Sequence, residues 1–136
     1  MSDMNEVKAL MKEAGWGDMA TSDGKVVDVR PMGGWAWVRG ELWCATADFT
    51  DKVSHLKKVP YAAWCFSLPE GKHVRINGPC TVSTNQDDKD ILYAACPIIK
   101  DHIPDPKVPE YVVLRLKPER IRIMKPDMSY DEVKPE

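Results

Sequence analysis

The chain has 136 residues, 43% hydrophobic and 29% charged, which describes one globular domain rather than a disordered segment. Nineteen Lys and Arg against 21 Asp and Glu leave a formal charge of −2, so nucleic-acid binding driven by bulk charge is not expected. The longest apolar runs, 61–66 and 91–99, are too short to cross a bilayer, and the opening MSDMNEVKALMKEAG carries acids where a signal peptide needs bases; a cytoplasmic chain with no membrane or nucleic-acid partner is expected.

Residues 3–14 read as a helix, because Val7, Leu10, Met11 and Ala14 recur at the spacing of one helical face and Gly15 can stop it. From there strand patterns dominate. A short strand over 18–21 leads into the Asp23–Gly24 hairpin signal. Residues 25–32 return with Val27 and Val29 on one face and Asp28, Arg30 and Met32 on the other. Gly33–Gly34 implies a bulge or a close backbone approach. The strand resumes over 35–38, turns at Arg39–Gly40 and returns over 41–46. Residues 49–58 read as a helix capped by Asp48 and ended by Pro60, with Val53 and Leu56 inward. Strands follow over 61–68 and 72–83, joined at Glu70–Gly71; on the second, Val74 and Ile76 face one way and His73, Arg75 and Asn77 the other. Residues 85–95 read as a helix with Ile91, Leu92 and Ala95 on one side. The irregular stretch 97–109, with four prolines, precedes strands at 111–116 and 120–124. About seven strands with three short helices point to a small closed or nearly closed antiparallel barrel. Residues 1–126 are read as the single domain and 127–136 as a loose polar tail.

The densest chemical signal is Thr46-Ala47-Asp48-Phe49-Thr50-Asp51-Lys52. A strand ends in a threonine and a helix begins with a threonine and a lysine. Free amides, two hydroxyls and an ammonium can then surround an anion, a phosphate above all. Arg30, on the preceding hairpin, can add a bidentate donor pair. Asp48 and Asp51 count against this, and a capped surface helix with a solvated Lys52 is the alternative. Trp35, Trp37, Trp43 and Trp64 offer flat faces for a ring, or fill the core. His73, Arg75 and Asn77 form a polar ladder suited to a ligand, a subunit contact or plain solvent. Cys44, Cys65, Cys80 and Cys96 include no Cys-x-x-Cys pair, so no metal site is expected. The sequence has no Ser-His-Asp order, HExxH or P-loop.

Several segments in order carry a resemblance: Met19-Ala20-Thr21-Ser22-Asp23-Gly24, Val29-Arg30-Pro31-Met32-Gly33, Leu42-Trp43-Cys44-Ala45-Thr46, Asp51-Lys52-Val53-Ser54-His55-Leu56, Val74-Arg75-Ile76-Asn77-Gly78 and the run 111–120. Together they resemble the pyridoxamine-phosphate-oxidase-like FMN-binding split barrels, closest to small single-domain members of the nitroimidazole-resistance type. The resemblance covers roughly residues 5–124. It implies a mainly β fold, a split β-barrel with short helices, forming a homodimer with FMN at the subunit interface. By position, Arg30 and Lys52 match residues that contact the flavin phosphate. Pro31, Met32 and Gly33 match the segment beside the ring, and Ala45 and Thr46 the strand end near ring and phosphate. His73 aligns with a glutamine that contacts flavin in some members.

Two departures matter. Asp51 stands where some members carry a second basic residue. The C-terminal region lacks the arginine- and histidine-bearing segment that grips the vitamin B6 substrate, so a true pyridoxamine-phosphate oxidase is not expected. The expected function is electron transfer through FMN to or from a small-molecule substrate, with NAD(P)H as a candidate donor and no residue assigned as catalytic. The alternative is a non-catalytic module that holds flavin, deazaflavin or haem as a sensor or carrier.

Overall fold

In the computed structural model, which describes residues 2–136, helix α1 (Met4–Ala14) starts at Asp3, whose carboxylate accepts from the Glu6 amide. It buries Met4, Val7, Leu10 and Met11, as their spacing demands, and stops where Gly15 takes φ 78°. Strands β1 (Gly17–Ser22) and β2 (Val27–Met32) form the expected hairpin. At its tip Asp23 accepts from the Lys25 and Val26 amides. Strands β3 (Trp35–Val38) and β4 (Glu41–Ala47) turn through Arg39 and Gly40. Then come α2 (Asp51–Lys58), β5 (Tyr61–Ser67), β6 (His73–Ser83), α3 (Gln86–Ala95), a 3-10 turn (Pro97–Asp101), β7 (Tyr111–Leu116), β8 (Arg120–Met124) and β9 (Tyr130–Val133).

Every strand pair is antiparallel, in the order β2-β1-β5-β6-β7-β4-β3, with β8 paired to β6 and β9 to β8. The sheet curls into a split barrel. Strand β6 makes this possible. Its residues 73–77 pair with β8 and its residues 80–83 with β7, and the changeover falls at Gly78–Pro79. The barrel interior holds Met19, Trp64, Phe66, Val74, Ile76, Leu114 and Ile121, closed by Val7 and Met11 of α1. Trp64 and Phe66 stack with centroids 5.4 Å apart. A second apolar cluster lies under α3, where Leu92 meets Trp43, Tyr111 and Val113. No helix among the described residues is long and apolar enough to cross a membrane.

Three expectations need correction. Residues 130–133 of the supposed loose tail form β9, because its alternation puts Val133 in the core while Asp131 and Glu132 find Lys125 and Arg120. Helix α2 begins at Asp51 with Thr50, not Asp48, at its N-cap position. On α3 the buried residues are Asp88, Lys89 and Leu92, whereas Ile91 and Ala95 are exposed. The polar Asp88 turns inward because it accepts from Ser83 Oγ at 2.6 Å and from Arg115 Nη1 at 3.1 Å.

Candidate functional site

Strands β2 and β4 end side by side, and the 3-10 turn folds back against them. Between them opens a cleft of about 330 Å3. Pro31, Met32 and Gly33 line one wall, and Ala45 and Thr46 lie at the end of β4. These are five of the eight residues that the sequence singles out. Ile98, Ile99, His102 and Ile103 complete the wall opposite, and Trp16 stands at the rim, 57% exposed. The lining is mostly apolar, the character of a small-molecule site. The glycine signal at 33 has its reason here: a Cβ there would press on the Trp16 ring at 3.0 Å.

Thr46 belongs both to the cleft and to a second group of residues at the start of α2. Thr50 Oγ1 donates to the Ala47 carbonyl at 2.8 Å, so Thr46 Oγ1 is the donor in their 3.4 Å contact. The Thr50 side chain caps no amide of α2, and the first-turn N–H groups stay available. Lys52 follows in the first turn. As a residue it is only 8% exposed; its ammonium still reaches solvent and meets no carboxylate or other hydrogen-bond partner among the described residues. Burial, and after it the charge of Arg30, lowers its proton affinity below the ordinary lysine value.

Arg30 is held from several sides. Its Nη1 donates to Thr21 Oγ1 at 2.8 Å and to the Met19 carbonyl at 3.3 Å, and its Nη2 meets Asp51 Oδ1 at 3.1 Å. Thr21 Oγ1, which accepts from Arg30, also shares a hydrogen bond with His55 Nδ1, 2.9 Å away, its direction set by the imidazole tautomer. Asp51 thus does not abolish the cationic site; it shares Arg30 from an exposed position and leaves Lys52 unpaired. Two cations against one carboxylate keep a local excess of one positive charge.

His73 stands apart. It lies at the start of β6 on the outer face of the sheet, beside Tyr130, and does not line the cleft. The tryptophans that the sequence offered for ring binding are structural instead. Trp43 and Trp64 are core residues, and Trp35 and Trp37 donate their indole N–H groups to Gly15 O and Met11 Sδ. Trp16, which the sequence reading passed over, is the one tryptophan at the cleft. Burial raises the thiols Cys44, Cys65 and Cys96 above the ordinary cysteine value and pushes Cys80 up to about 12.

A curled antiparallel sheet with a cleft at the ends of β2 and β4 defines a split-barrel protein. The pyridoxamine 5'-phosphate oxidase family pattern matches residues 4–125, and the chain belongs to that family. No curated protein matches the chain. Among solved structures it is similar to a nimC/nimA family protein from Clostridium acetobutylicum, with a TM-score of 0.83, 19% identity, and 95% of this chain and 90% of that one covered. It is similar also to a pyridoxamine 5'-phosphate oxidase-related, FMN-binding protein from Nostoc punctiforme (TM-score 0.68, 14% identity, 96% of each chain covered). A third likeness is to HutZ, the haem storage protein from Vibrio cholerae (TM-score 0.67, 12% identity, 89% and 94% covered). At such identities these likenesses speak for the fold.

Proposed function

We propose that the protein is an FMN-binding flavoprotein that works as a homodimer and passes electrons between its flavin and a small molecule. The observation that carries this reading is Lys52, a mostly buried side chain whose ammonium has no anion, set beside Arg30 at an uncapped helix start and next to an apolar cleft. A phosphate would satisfy the cation while a flavin ring occupied the cleft. Family membership and the FMN-binding relative with the same fold support FMN as the group.

The residues present fit that cofactor. Arg30, Lys52, Thr46 and the first amides of α2 would hold the phosphate. Pro31 to Gly33 and Ala45 would flank the ring, with Ile99 and Trp16 keeping water from it. Bound flavin supplies the redox chemistry; the chain supplies position, exclusion of water and positive charge.

Apoprotein titrated with FMN tests this. Arg30→Ala and Lys52→Ala should each weaken binding by about 1.5–3 kcal/mol, the range for a charge-assisted hydrogen bond. Unchanged affinity in both variants would overturn the assignment. The visible spectrum of the purified protein separates flavin from deazaflavin and from haem.

Pyridoxamine phosphate should not be turned over. A second phosphate needs a second set of cations. Of the late basic residues, Arg120 already gives Glu132 two bonds, at 2.8 and 2.6 Å, Lys125 pairs with Asp131 at 3.0 Å, and Arg122, across from Arg75, does not line the cleft. Formation of pyridoxal phosphate by FMN-loaded protein in the ordinary enzyme range of about 1–1000 per second would refute this.

A further inference from the structure

Of the three histidines only His55 is buried, 7% exposed, and it does not line the cleft. Helix α2 lays it against the β1–β2 hairpin, on the face where Thr21 and Asp28 stand directly opposite each other. Met19 and Arg30 are the next pair on that face. His55 Nδ1 lies 2.9 Å from Thr21 Oγ1, which accepts from Arg30 Nη1 at 2.8 Å, and His55 Nε2 lies 3.9 Å from Asp28 Oδ2.

These contacts decide which edge of the Arg30 guanidinium is free. Nη1 carries two hydrogens, and Thr21 Oγ1 and the Met19 carbonyl take them. The edge formed by Nη2 and Nε remains, and Nη2 meets Asp51 in the first turn of α2. Arg30 is thus presented to the helix start, beside Lys52, by an anchor on its far side. Thr21 is 2% exposed, which keeps water from competing for that anchor. A lone hydroxyl would rotate, and the imidazole fixes it. A protonated ring donates from Nδ1 to Oγ1, and a neutral ring either donates to Oγ1 or accepts from it. In every case Oγ1 keeps a lone pair for Arg30. The anchor therefore survives a change of charge on His55. The charged groups on the elements around the ring are Asp28 and Arg30 of β2, Asp23 of the hairpin tip, and Asp51, Lys52 and Lys58 of its own helix. Three carboxylates balance three bases, so a proton on His55 tips the group positive.

We propose that His55 is a positioning residue for the bound anion: through Thr21 it fixes the Arg30 guanidinium, and it gains a proton as an anion seats on Arg30 and Lys52. This rests on the phosphate site proposed above and adds the group that sets its response to pH. The sign follows from linkage. A ligand that brings negative charge favours the protonated ring, so the protonated ring favours the ligand by the same factor. A phosphate-bearing cofactor is held more tightly at mildly acid pH than at alkaline pH.

Sulfate, whose charge is constant between about pH 5.5 and about pH 8, is the probe, titrated into the full chain and followed by calorimetry and proton NMR. Wild-type affinity should fall about fivefold or more across that range. His55→Asn sets an amide near the place of Nδ1 and takes up no proton. It should match the wild type at the alkaline end to within about twofold and lose the pH response. His55→Leu leaves Thr21 without its partner and should bind about fivefold more weakly than His55→Asn at every pH. At about pH 6.5, where an ordinary histidine is half protonated, sulfate should move the ring-proton resonance that His55→Asn removes toward its protonated position. A pH response retained in His55→Asn, or equal affinities in the Asn and Leu variants, would overturn the role of His55 and leave the phosphate site standing. A wild-type chain that binds no sulfate, or binds it equally well after Lys52→Ala, would overturn both.

Discussion

Gly78→Ala should cost about 3–5 kcal/mol of stability, a large part of the 5–15 kcal/mol typical of a domain. A Cβ at this point of β6 would overlap the Lys117 carbonyl oxygen and approach the Glu119 nitrogen to 3.0 Å. Both obstacles are backbone, so neither can swing aside as a side chain would. Two hydrogen bonds bracket the contact: Lys117 N–H to Pro79 O and Glu119 N–H to Asn77 O, each 2.9 Å. Displacing the loop breaks both, at about 1 kcal/mol each, on top of about 1–3 kcal/mol of overpacking. The same loop leads β7 out of one pairing with β6 and β8 into the other. Urea denaturation of the ligand-free protein is the measurement. A loss below about 1 kcal/mol would show that the loop yields without cost.

Lys52→Met should act in opposite directions on the free and ligated protein. Methionine keeps the length and flexibility of the stem and removes the charge. Anion affinity should fall by about 2–3 kcal/mol, roughly 30- to 150-fold. The ligand-free protein should gain about 1 kcal/mol, or some 4 °C at this chain length, because a partly desolvated ammonium without an anion is removed. The pH dependence carries a sign. Lys52 binds its proton less tightly in the folded chain than in the unfolded one, so between its depressed folded value and the ordinary lysine range the unfolded state holds more protons. Stability of the ligand-free wild type should therefore rise as pH climbs through that window, and Lys52→Met should flatten the rise. Thermal melts with and without inorganic phosphate, from neutral pH to above pH 10, test both halves. A variant less stable without ligand, or one that keeps its phosphate response, would show that Lys52 serves packing alone.

Much of this arrangement was legible in the residues. The period of α1, the Asp23–Gly24 turn and the alternation of β6 are local signals, and local sterics decide them. The grouping of Thr46, Thr50 and Lys52 was legible for the same reason: Thr46 to Lys52 is one continuous strand-to-helix passage, with only Arg30 brought from elsewhere. What was hidden depended on contacts distant in sequence. The wall at 98–103 comes from a proline-rich stretch without periodicity, and only its docking against β2 and β4 makes it part of a cleft. Strand β9 was obscured by its charges, which read as a solvated tail until Arg120 and Lys125 are placed beside them. Ile91 and Ala95 on α3 follow a helical period that packing does not honour, because the half-buried Asp88–Arg115 pair sets the rotation of that helix.

The position of β6 between β5 on one side and β7 and β8 on the other bears on the order in which the chain can assemble. During synthesis β1 to β4 emerge first, but β1 waits for β5 and β4 waits for β7, which starts at residue 111. The β3–β4 hairpin, with Trp35, Trp37 and Trp43, must persist meanwhile with its apolar sides open. Pairings so distant along the chain place folding toward the slow end, milliseconds to seconds for small β proteins. The interval before β6 and β7 arrive is when a nascent chain is most exposed to aggregation, and the β3–β4 ribbon is the part a chaperone would have to cover.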